Sequence, residues 1–212
     1  IVMLENIRFY KEEENNDIKF SKHLASLGDI YVNEAFSCSH RPHASVYEIT
    51  KHIKSFAGIH LAKEVGALLK ITSNITRPVT CIIGGSKIST KINIIKNLIP
   101  KFDNIIVVGG MANNLLKYDG YKIGKSIFEK NCEEIIKKIF NLAKKNNCTI
   151  YYPEDVSTGK NLKDAAINKN LNEVHKNELI LDIGTKTISK ILNIIRRSKT
   201  VLWNGPAGYF EN

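Results

Sequence analysis

The sequence predicts an α/β protein of two lobes with parallel sheets flanked by helices. From residue 79 onward, apolar runs alternate with amphipathic stretches, and Gly-containing turns separate them. The apolar runs are continuous, which is typical of strands buried on both faces of a parallel sheet. Residues 72–78 are polar and end at Pro78, which disfavours helix at the residue before it. We therefore place the boundary between the lobes in that stretch.

The first lobe is predicted to contain both strands and helices. Residues 1–4 form a short apolar run followed at once by polar residues, which predicts the end of a buried strand. Residues 20–27 follow a helical period that stops at Gly28, a good C-terminal cap. Residues 29–33 predict a second strand. Residues 46–69 carry apolar residues on one helical face and predict a long helix.

The second lobe is predicted to repeat a strand, a turn and a helix. Its predicted strands are residues 79–83, 105–108, 149–152, 179–181 and 200–203. Its predicted helices are residues 88–98, 111–117, 133–145 and 187–197. Such parallel βαβ units bind ligands at the carboxyl ends of their strands. Three Gly-rich turns fall at those ends.

Charge and cysteine content exclude several classes of protein. The formal net charge of +10 suits a polyanionic partner, either nucleic acid or a phosphorylated small molecule. However, most lysines lie on amphipathic stretches such as residues 133–140, and no nucleic-acid recognition pattern accompanies them, so we expect no nucleic-acid binding. No apolar run approaches the roughly 20 residues of a membrane span. The widely separated cysteines predict reduced thiols in the cytoplasm, and they are Cys38, Cys81, Cys132 and Cys148.

The first Gly-rich turn, Gly84-Gly85-Ser86-Lys87, leaves a strand and is predicted to open a helix. Glycines let a ligand approach the backbone, and helix-start amides face an anion there. Lys87 and Lys91 are four residues apart and would share one face of that helix. The alternative is a helix capped by Ser86 with two exposed lysines. The turn alone favours phosphate binding and helix capping about equally.

Two further turns repeat the pattern. Residues 107–112 contain a second glycine pair, which would admit a flat base, although close helix–sheet packing explains the same glycines. Residues 203–211 contain Gly-Pro and a further glycine, which force a rigid turn after a strand. Glu211 follows, where its carboxylate would accept from ribose hydroxyls or stabilise the first turn of a helix.

Two arginines of the first lobe are candidate phosphate ligands. Arg41 lies in the run 33–45 beside two histidines, and Arg8 lies in the run 4–9. A guanidinium binds phosphate through two parallel hydrogen bonds. The run 33–45 lacks the acidic partner expected of a catalytic histidine dyad. A surface ion pair is the alternative role for each arginine.

Together these segments resemble the phosphoglycerate kinase family. Seven motifs occur in the family's order and spacing, at residues 4–9, 25–29, 33–45, 84–91, 109–112, 182–184 and 203–206. The resemblance implies two Rossmann-like lobes, both incomplete here. Residues 1–72 would be the remainder of the N-terminal 3-phosphoglycerate-binding lobe with an inter-lobe helix, 73–78 the hinge region, and 79–212 most of the nucleotide-binding lobe.

The resemblance also implies an activity. The family transfers a phosphoryl group reversibly from 1,3-bisphosphoglycerate to ADP, giving 3-phosphoglycerate and ATP in glycolysis. The same substrates are expected here, with Mg²⁺ bound with the nucleotide. We expect a cytoplasmic monomer with no nucleic-acid or membrane partner. Another nucleotide-binding α/β protein, such as a ligase or sugar kinase, and a basic nucleic-acid-binding or inactive copy are the alternatives.

Specific roles follow from matching positions. Arg8 and Arg41 would bind the phosphate of the acid substrate, and Lys87 would be catalytic by neutralising the migrating phosphoryl group. The predicted nucleotide-binding residues are Gly85, Lys87, Lys91, Gly109, Gly110, Asn204, Pro206, Gly208 and Glu211.

The chain departs from the family pattern in two places. Ser37-Cys38 replaces the family's Gly-Thr, which would alter the substrate loop, and Thr185 replaces a Pro after Asp-Ile-Gly, which would soften a helix start. We interpret the chain as the middle portion of the enzyme, because several family motifs would precede Ile1 or follow residue 212. The protein contact of Mg²⁺ is then expected outside this chain, and the 212-residue chain alone is expected to be inactive.

Overall fold

A computed structural model describes residues 1–73 and 75–211, and at residues 72 and 73 it describes the backbone alone. It divides into two compact units, Ile1–Asn74 and Ile75–Asn212. The division falls inside the stretch 73–78, but the hinge and the lobe boundaries stay predictions. Asn74, in the predicted hinge, and Asn212, at the end of the predicted second lobe, lie outside the described residues.

The described part of the first unit contains two parallel strands and three α-helices. The strands are β1 (Ile30–Asn33) and β2 (Lys54–Ala57), and the helices are α1 (Lys11–Glu14), α2 (Ile18–Ala25) and α3 (Ile59–Ser73). The Asp17 carboxylate caps α2 by accepting the Phe20 N–H at 2.8 Å. Helix α2 and strand β1 confirm two predictions, although α2 ends at Ala25, before the predicted stop at Gly28.

Two predictions for this unit are wrong. Residues 1–4 form no strand and are exposed, because no neighbouring strand in the described part of the chain pairs with their backbone. Residues 46–69 are not one helix, since β2 interrupts them. The register of β2 with β1 pairs Phe56 with Val32, and this pairing overrides the helical spacing of the apolar residues.

The strands of the second unit form two sheets. They are β3 (Val79–Ile83), β4 (Asn104–Val107), β5 (Thr149–Tyr151), β6 (Asp155–Gly159), β7 (Ile167–Asn170), β8 (Leu179–Ile183) and β9 (Thr200–Asn204). The larger sheet is wholly parallel, in the order β5-β4-β3-β9. Every residue of β3 is buried, which explains its continuous apolar sequence.

Helices flank this sheet as the sequence predicts. They are α4 (Ile92–Leu98), α5 (Gly110–Tyr118), α6 (Glu133–Lys145) and α7 (Thr185–Arg197). Helix α6 buries Ile136, Ile139 and Ala143 on one face and leaves its lysine-rich face to solvent, as its amphipathic sequence predicts. The structure therefore confirms the predicted fold class, an α/β protein with parallel sheets flanked by helices.

The smaller sheet corrects one prediction. Strand β8 was predicted to extend the parallel sheet, but it pairs antiparallel with β6 in a three-stranded sheet of order β7-β6-β8. Strands β6 and β7 were not predicted at all. Only residues 160–166 join them, which suffices for an antiparallel pair but is too short for the crossover that parallel strands require.

Asp155 links this smaller sheet to the start of α7. Its carboxylate accepts the N–H groups of Lys186 and Thr187, at 2.9 and 2.8 Å, and the Thr187 hydroxyl at 2.6 Å. Gly184, at the N-cap position of α7, has no side chain to cap the helix. Burial alone raises the pKa of the Asp155 carboxyl, but the hydrogen bonds from Thr187 and Lys186 outweigh burial and lower that pKa below its ordinary value.

Asp155→Ala is expected to lower the free energy of unfolding by about 1–2 kcal/mol at pH 7, the cost of a lost N-cap in a buried setting. Because the folded-state pKa is lowered, this stabilisation is present above the ordinary Asp pKa of about 3.9 and lost as pH falls through the folded value. Urea unfolding of the unmutated protein and of Asp155→Ala, at pH 7 and pH 3.5, measures this difference in the free energy of unfolding. The exposed neighbour Glu154→Ala is the control, and equal losses in both variants would contradict the assignment.

Candidate active site

Three turns of the second unit meet at the carboxyl ends of the strands of the parallel sheet. Ile83, the last residue of β3, is in register with Val107 of β4 and Asn204 of β9. The chain leaves each strand through a Gly-containing turn, so the parallel register brings the three turns together. The Gly84 N–H donates to the Asn204 carbonyl oxygen at 2.8 Å, which ties the first turn to the third.

Glycine is required where these turns touch. A Cβ on Gly84 would overlap the carbonyl group of Pro206. A Cβ on Gly109 would lie 3.2 Å from the Pro206 carbonyl oxygen, and the backbone of Gly109 has a φ of +67°, which side chains rarely adopt. These glycines are therefore explained by close packing between the turns, whose main-chain atoms form the floor of the site.

A cavity of about 430 Å³ opens beside this floor. It has the size of a small-molecule site. Most of the predicted nucleotide-binding residues line it, namely Gly85, Gly109, Gly110, Pro206, Gly208 and Glu211. The structure thus brings these six together, whereas Lys87, Lys91 and Asn204 lie outside the lining.

The lysine-bearing turn differs from its prediction. Helix α4 begins at Ile92, so Lys87 and Lys91 precede it and do not share a helical face. Ser86 is not its N-cap, because the residue at that position is Lys91, and no side chain caps the helix. In this non-helical turn the side chain of Ile88 is 1% exposed, so it packs into the core between the two lysines.

Lys91 and Asn204 are nevertheless in direct contact. The Lys91 Nζ donates to the Asn204 Oδ1 at 2.5 Å, which joins the first and third turns. Lys87 is exposed on the same turn. The Lys91 ammonium and the Asn204 amide are thus held at the carboxyl ends of the strands, where both can donate to phosphate oxygens.

The first unit brings its two predicted arginines to one short turn, Phe36–Cys38. The Arg8 guanidinium donates to the Cys38 Sγ at 3.6 Å, and the Arg41 backbone N–H donates to the Cys38 carbonyl oxygen at 3.0 Å. Both arginines are exposed. The turn therefore contacts the side chain of Arg8 and the backbone of Arg41, and both residues are exposed to solvent, where a guanidinium can bind an anion.

Glu13 and Glu34 shape this region and were missed by the sequence interpretation. The buried Glu13 carboxylate accepts the Ser45 N–H at 2.8 Å and lies 3.7 Å from His43 Nδ1, so His43 belongs to a packed cluster. Glu34 accepts the Leu61 N–H at the start of α3, and this hydrogen bond lowers the pKa of its carboxyl. No pattern in the run 33–45 indicates that Ser45 contacts Glu13 or that Glu34 contacts Leu61, because the residues of each pair are far apart in sequence.

Comparison with known proteins identifies the family. The family model described as phosphoglycerate kinase matches residues 1–212, the full length of the chain. The chain belongs to the phosphoglycerate kinase family.

Relatives and solved structures agree. The chain is 47% identical to a phosphoglycerate kinase of Wolbachia pipientis wMel, over 100% of this chain and 54% of that protein. The structure of phosphoglycerate kinase from Coxiella burnetii matches with a TM-score of 0.82 at 38% identity, over 97% of this chain and 54% of that one. The enzyme from Pyrococcus horikoshii OT3 matches with a TM-score of 0.78 at 25% identity, over 98% and 55%. The chain spans about half the length of the phosphoglycerate kinases it matches.

The departure from the phosphoglycerate kinase pattern at Thr185 is accommodated. Thr185 is the first residue of α7, and its N–H, which a proline would lack, donates to Asn168 Oδ1 at 2.9 Å. Together with Asp155, this contact holds the backbone at the start of the helix, and the softening expected there stays a prediction. At the other departure, Ser37 Oγ lies 3.9 Å from Cys38 Sγ within the turn that contacts Arg8.

Further residues line the cavity without having been assigned a role from sequence. Strand β8 contributes all five of its residues, Leu179–Ile183, from the smaller sheet. The phosphoglycerate kinase motif at residues 182–184 was the one available signal. Asn113 also lines the cavity and donates from Nδ2 to the Ile127 carbonyl oxygen at 2.9 Å, and its Oδ1 has no hydrogen-bond partner in the described structure.

Within the described residues, no group of three or more His, Cys, Asp and Glu side chains is placed to hold a metal ion. The same residues include no helix that is long and apolar enough to cross a membrane.

Proposed function

We propose that this chain contributes about half of each substrate site of a phosphoglycerate kinase. The reaction is the reversible transfer of a phosphoryl group from 1,3-bisphosphoglycerate to ADP, giving 3-phosphoglycerate and ATP in glycolysis. The observation that supports it most is the junction of three Gly-rich turns around a 430 Å³ cavity, in a chain of that family. A main-chain floor with lysines beside it suits a nucleotide phosphate tail.

In this proposal each lobe binds one substrate. Arg8 and Arg41 hold the phosphate of the acid substrate, because guanidinium groups match phosphate oxygens. The cavity holds the nucleoside, with Glu211 accepting from the ribose hydroxyls. The contact between Lys91 and Asn204 supports a shared role for these side chains in binding resident phosphates.

In this proposal Lys87 neutralises the migrating phosphoryl group. Phosphoryl transfer requires positioning of the two substrates and neutralisation of the charge on the transferred oxygens. Lys87 lies two residues after the glycine pair, so its ammonium would meet that charge. Closure about the stretch 73–78 would bring the acid substrate to the nucleotide.

Mg²⁺ is expected to arrive with the nucleotide phosphates. The described residues do not form a carboxylate cluster that could hold it. A monomeric state and a cytoplasmic location, with four free cysteines, belong to the same proposal.

The deciding experiment measures ADP-dependent consumption of 1,3-bisphosphoglycerate by the complete gene product. Turnover that requires both ADP and Mg²⁺ supports the proposal. A folded protein without such turnover would reject it. Retention on nucleic acid that falls steeply with salt would instead favour the basic nucleic-acid-binding alternative.

Arg41→Ala in the complete protein is expected to weaken 3-phosphoglycerate binding by roughly 1.5–3 kcal/mol, the range for a hydrogen bond to a charged group. Nucleotide binding should barely change. Isothermal titration calorimetry with each ligand separately measures both affinities. Arg197→Ala, at the exposed end of α7, is the matched control. Equal losses for the two ligands would show that Arg41 acts through folding.

A further inference from the structure

Residues 86–91, here called the lysine turn, are held by a carboxylate from elsewhere in the chain. The backbone N–H of Ser89 donates to Glu129 Oε2 at 3.0 Å. Ser89 lies two residues after Lys87, so this bond fixes the backbone next to the proposed catalytic lysine. Buried Ile88 is the second anchor of the same turn. The turn is not helical, and within it the Lys91 N–H donates to the Ile88 carbonyl oxygen at 3.1 Å and the Thr90 hydroxyl donates to the Lys87 carbonyl oxygen at 2.9 Å.

Glu129 is itself fixed in place by Asn114 of α5. Asn114 Nδ2 donates to the Glu129 carbonyl oxygen at 2.7 Å, and the Glu129 N–H donates back to Asn114 Oδ1 at 3.3 Å. Asn114 is 4% exposed, so its orientation is constrained by packing. Helix α5 begins at Gly110, which lines the cavity. A short rigid path thus joins the cavity floor to the lysine turn.

The charge of Glu129 also acts on this turn. Hydrogen bonds from Ser89, first its side chain and then its backbone, lower the pKa of the Glu129 carboxyl, and the nearby positive charge of Lys87 lowers it further. The carboxyl is therefore ionised at neutral pH and attracts the Lys87 ammonium. A lysine on a flexible four-carbon stem needs such a partner, because an electrostatic catalyst works only when it is held in place.

We propose that Glu129 is a positioning residue for phosphoryl transfer, which holds the lysine turn through Ser89 and orients Lys87 without touching either substrate. This inference rests on the proposed function, in which Lys87 meets the migrating group. Glu129 is 40 residues from Ser89 in sequence, so only the folded chain brings the two together.

The test is a double-mutant cycle in the complete protein, with Glu129→Ala made alone and in the Lys87→Ala background. Alone, it should lower kcat about tenfold and leave the KM for ADP within about twofold, because misplacing a catalytic group impairs transfer more than binding. In the Lys87→Ala background it should change kcat by less than about twofold, since the group it positions is gone. Glu134→Ala, exposed in the first turn of α6, is the control and should leave kcat unchanged.

Two further measurements separate the hydrogen bond from the charge. Glu129→Gln keeps an acceptor for the Ser89 N–H and should lose less kcat than Glu129→Ala. Hydrogen exchange at Ser89 needs no turnover, and it should accelerate in Glu129→Ala but not in Glu129→Gln. Unchanged exchange in Glu129→Ala would overturn the proposal.

The outcomes also distinguish this inference from the proposed function. Absence of ADP-dependent turnover in the unmutated protein would reject the proposed function. Normal turnover, with the same loss from Glu129→Ala in both backgrounds, would reject the positioning role alone, because Glu129 would then act through general stability.

Discussion

Lys87→Ala in the complete protein is expected to lower kcat by about 100-fold or more, comparable with removing one preorganised electrostatic donor. A contact made mainly in the transition state lowers kcat and kcat/KM together. Lys87 is exposed two residues after the glycine pair, whereas Lys91 is held by the Asn204 side chain. Steady-state kinetics with ADP varied at saturating 1,3-bisphosphoglycerate measure the effect.

Lys91→Ala is the matched comparison. Its ammonium is held by Asn204, at the junction of two turns, and is assigned to resident nucleotide phosphates. This variant should raise the KM for ADP about tenfold and leave kcat nearly intact, because it removes uniform binding. Circular dichroism must first show that both variants are folded. An unchanged kcat in Lys87→Ala would refute the role proposed for that lysine.

Gly84→Ala is expected to destabilise the second unit by about 3 kcal/mol or more and to weaken ADP binding. A Cβ at this position overlaps the carbonyl group of Pro206, and backbone cannot move aside as a side chain end would. Overpacking of this kind costs typically 1–3 kcal/mol, and more when both partners are rigid. Thermal unfolding and ADP titration measure the two effects.

Gly66→Ala is the control for this substitution. Gly66 lies inside α3, and a Cβ there meets no atom within 4 Å. Alanine favours a helix over glycine by about 0.5–1 kcal/mol, so this variant should be as stable as the unmutated protein or slightly more stable. Equal stability of Gly84→Ala would show that the contact with Pro206 is not rigid.

Strands buried in the parallel sheet could be predicted from sequence because burial on both faces leaves a continuous apolar run. Residues 79–83 were predicted without error and form β3. The exposed strands β2 and β7 carry no such run, since their side chains are largely in solvent. Their position is set by pairing with β1 and β6, and the sequence pattern of one strand cannot contain that information.

The glycines of the site could also be predicted from sequence. Each follows a strand, and the parallel register then brings them together. The conformation of the lysine turn could not be predicted, because it depends on the burial of Ile88 and on the distant carboxylate of Glu129. The lining from β8 was missed because that strand belongs to a sheet whose antiparallel order was not foreseen.

The strand order has a consequence for biosynthesis. β3 pairs with β9, which follows it by about 120 positions, so the contact between Gly84 and Pro206 joins residues that are far apart in sequence. Contacts of this kind raise the contact order of a protein. On the ribosome, at roughly 5–20 residues per second, the nascent chain must wait several seconds for β9 after β3 has emerged. Until then one long side of β3 has no partner and can pair with other chains, which is the period in which a chaperone would be most useful.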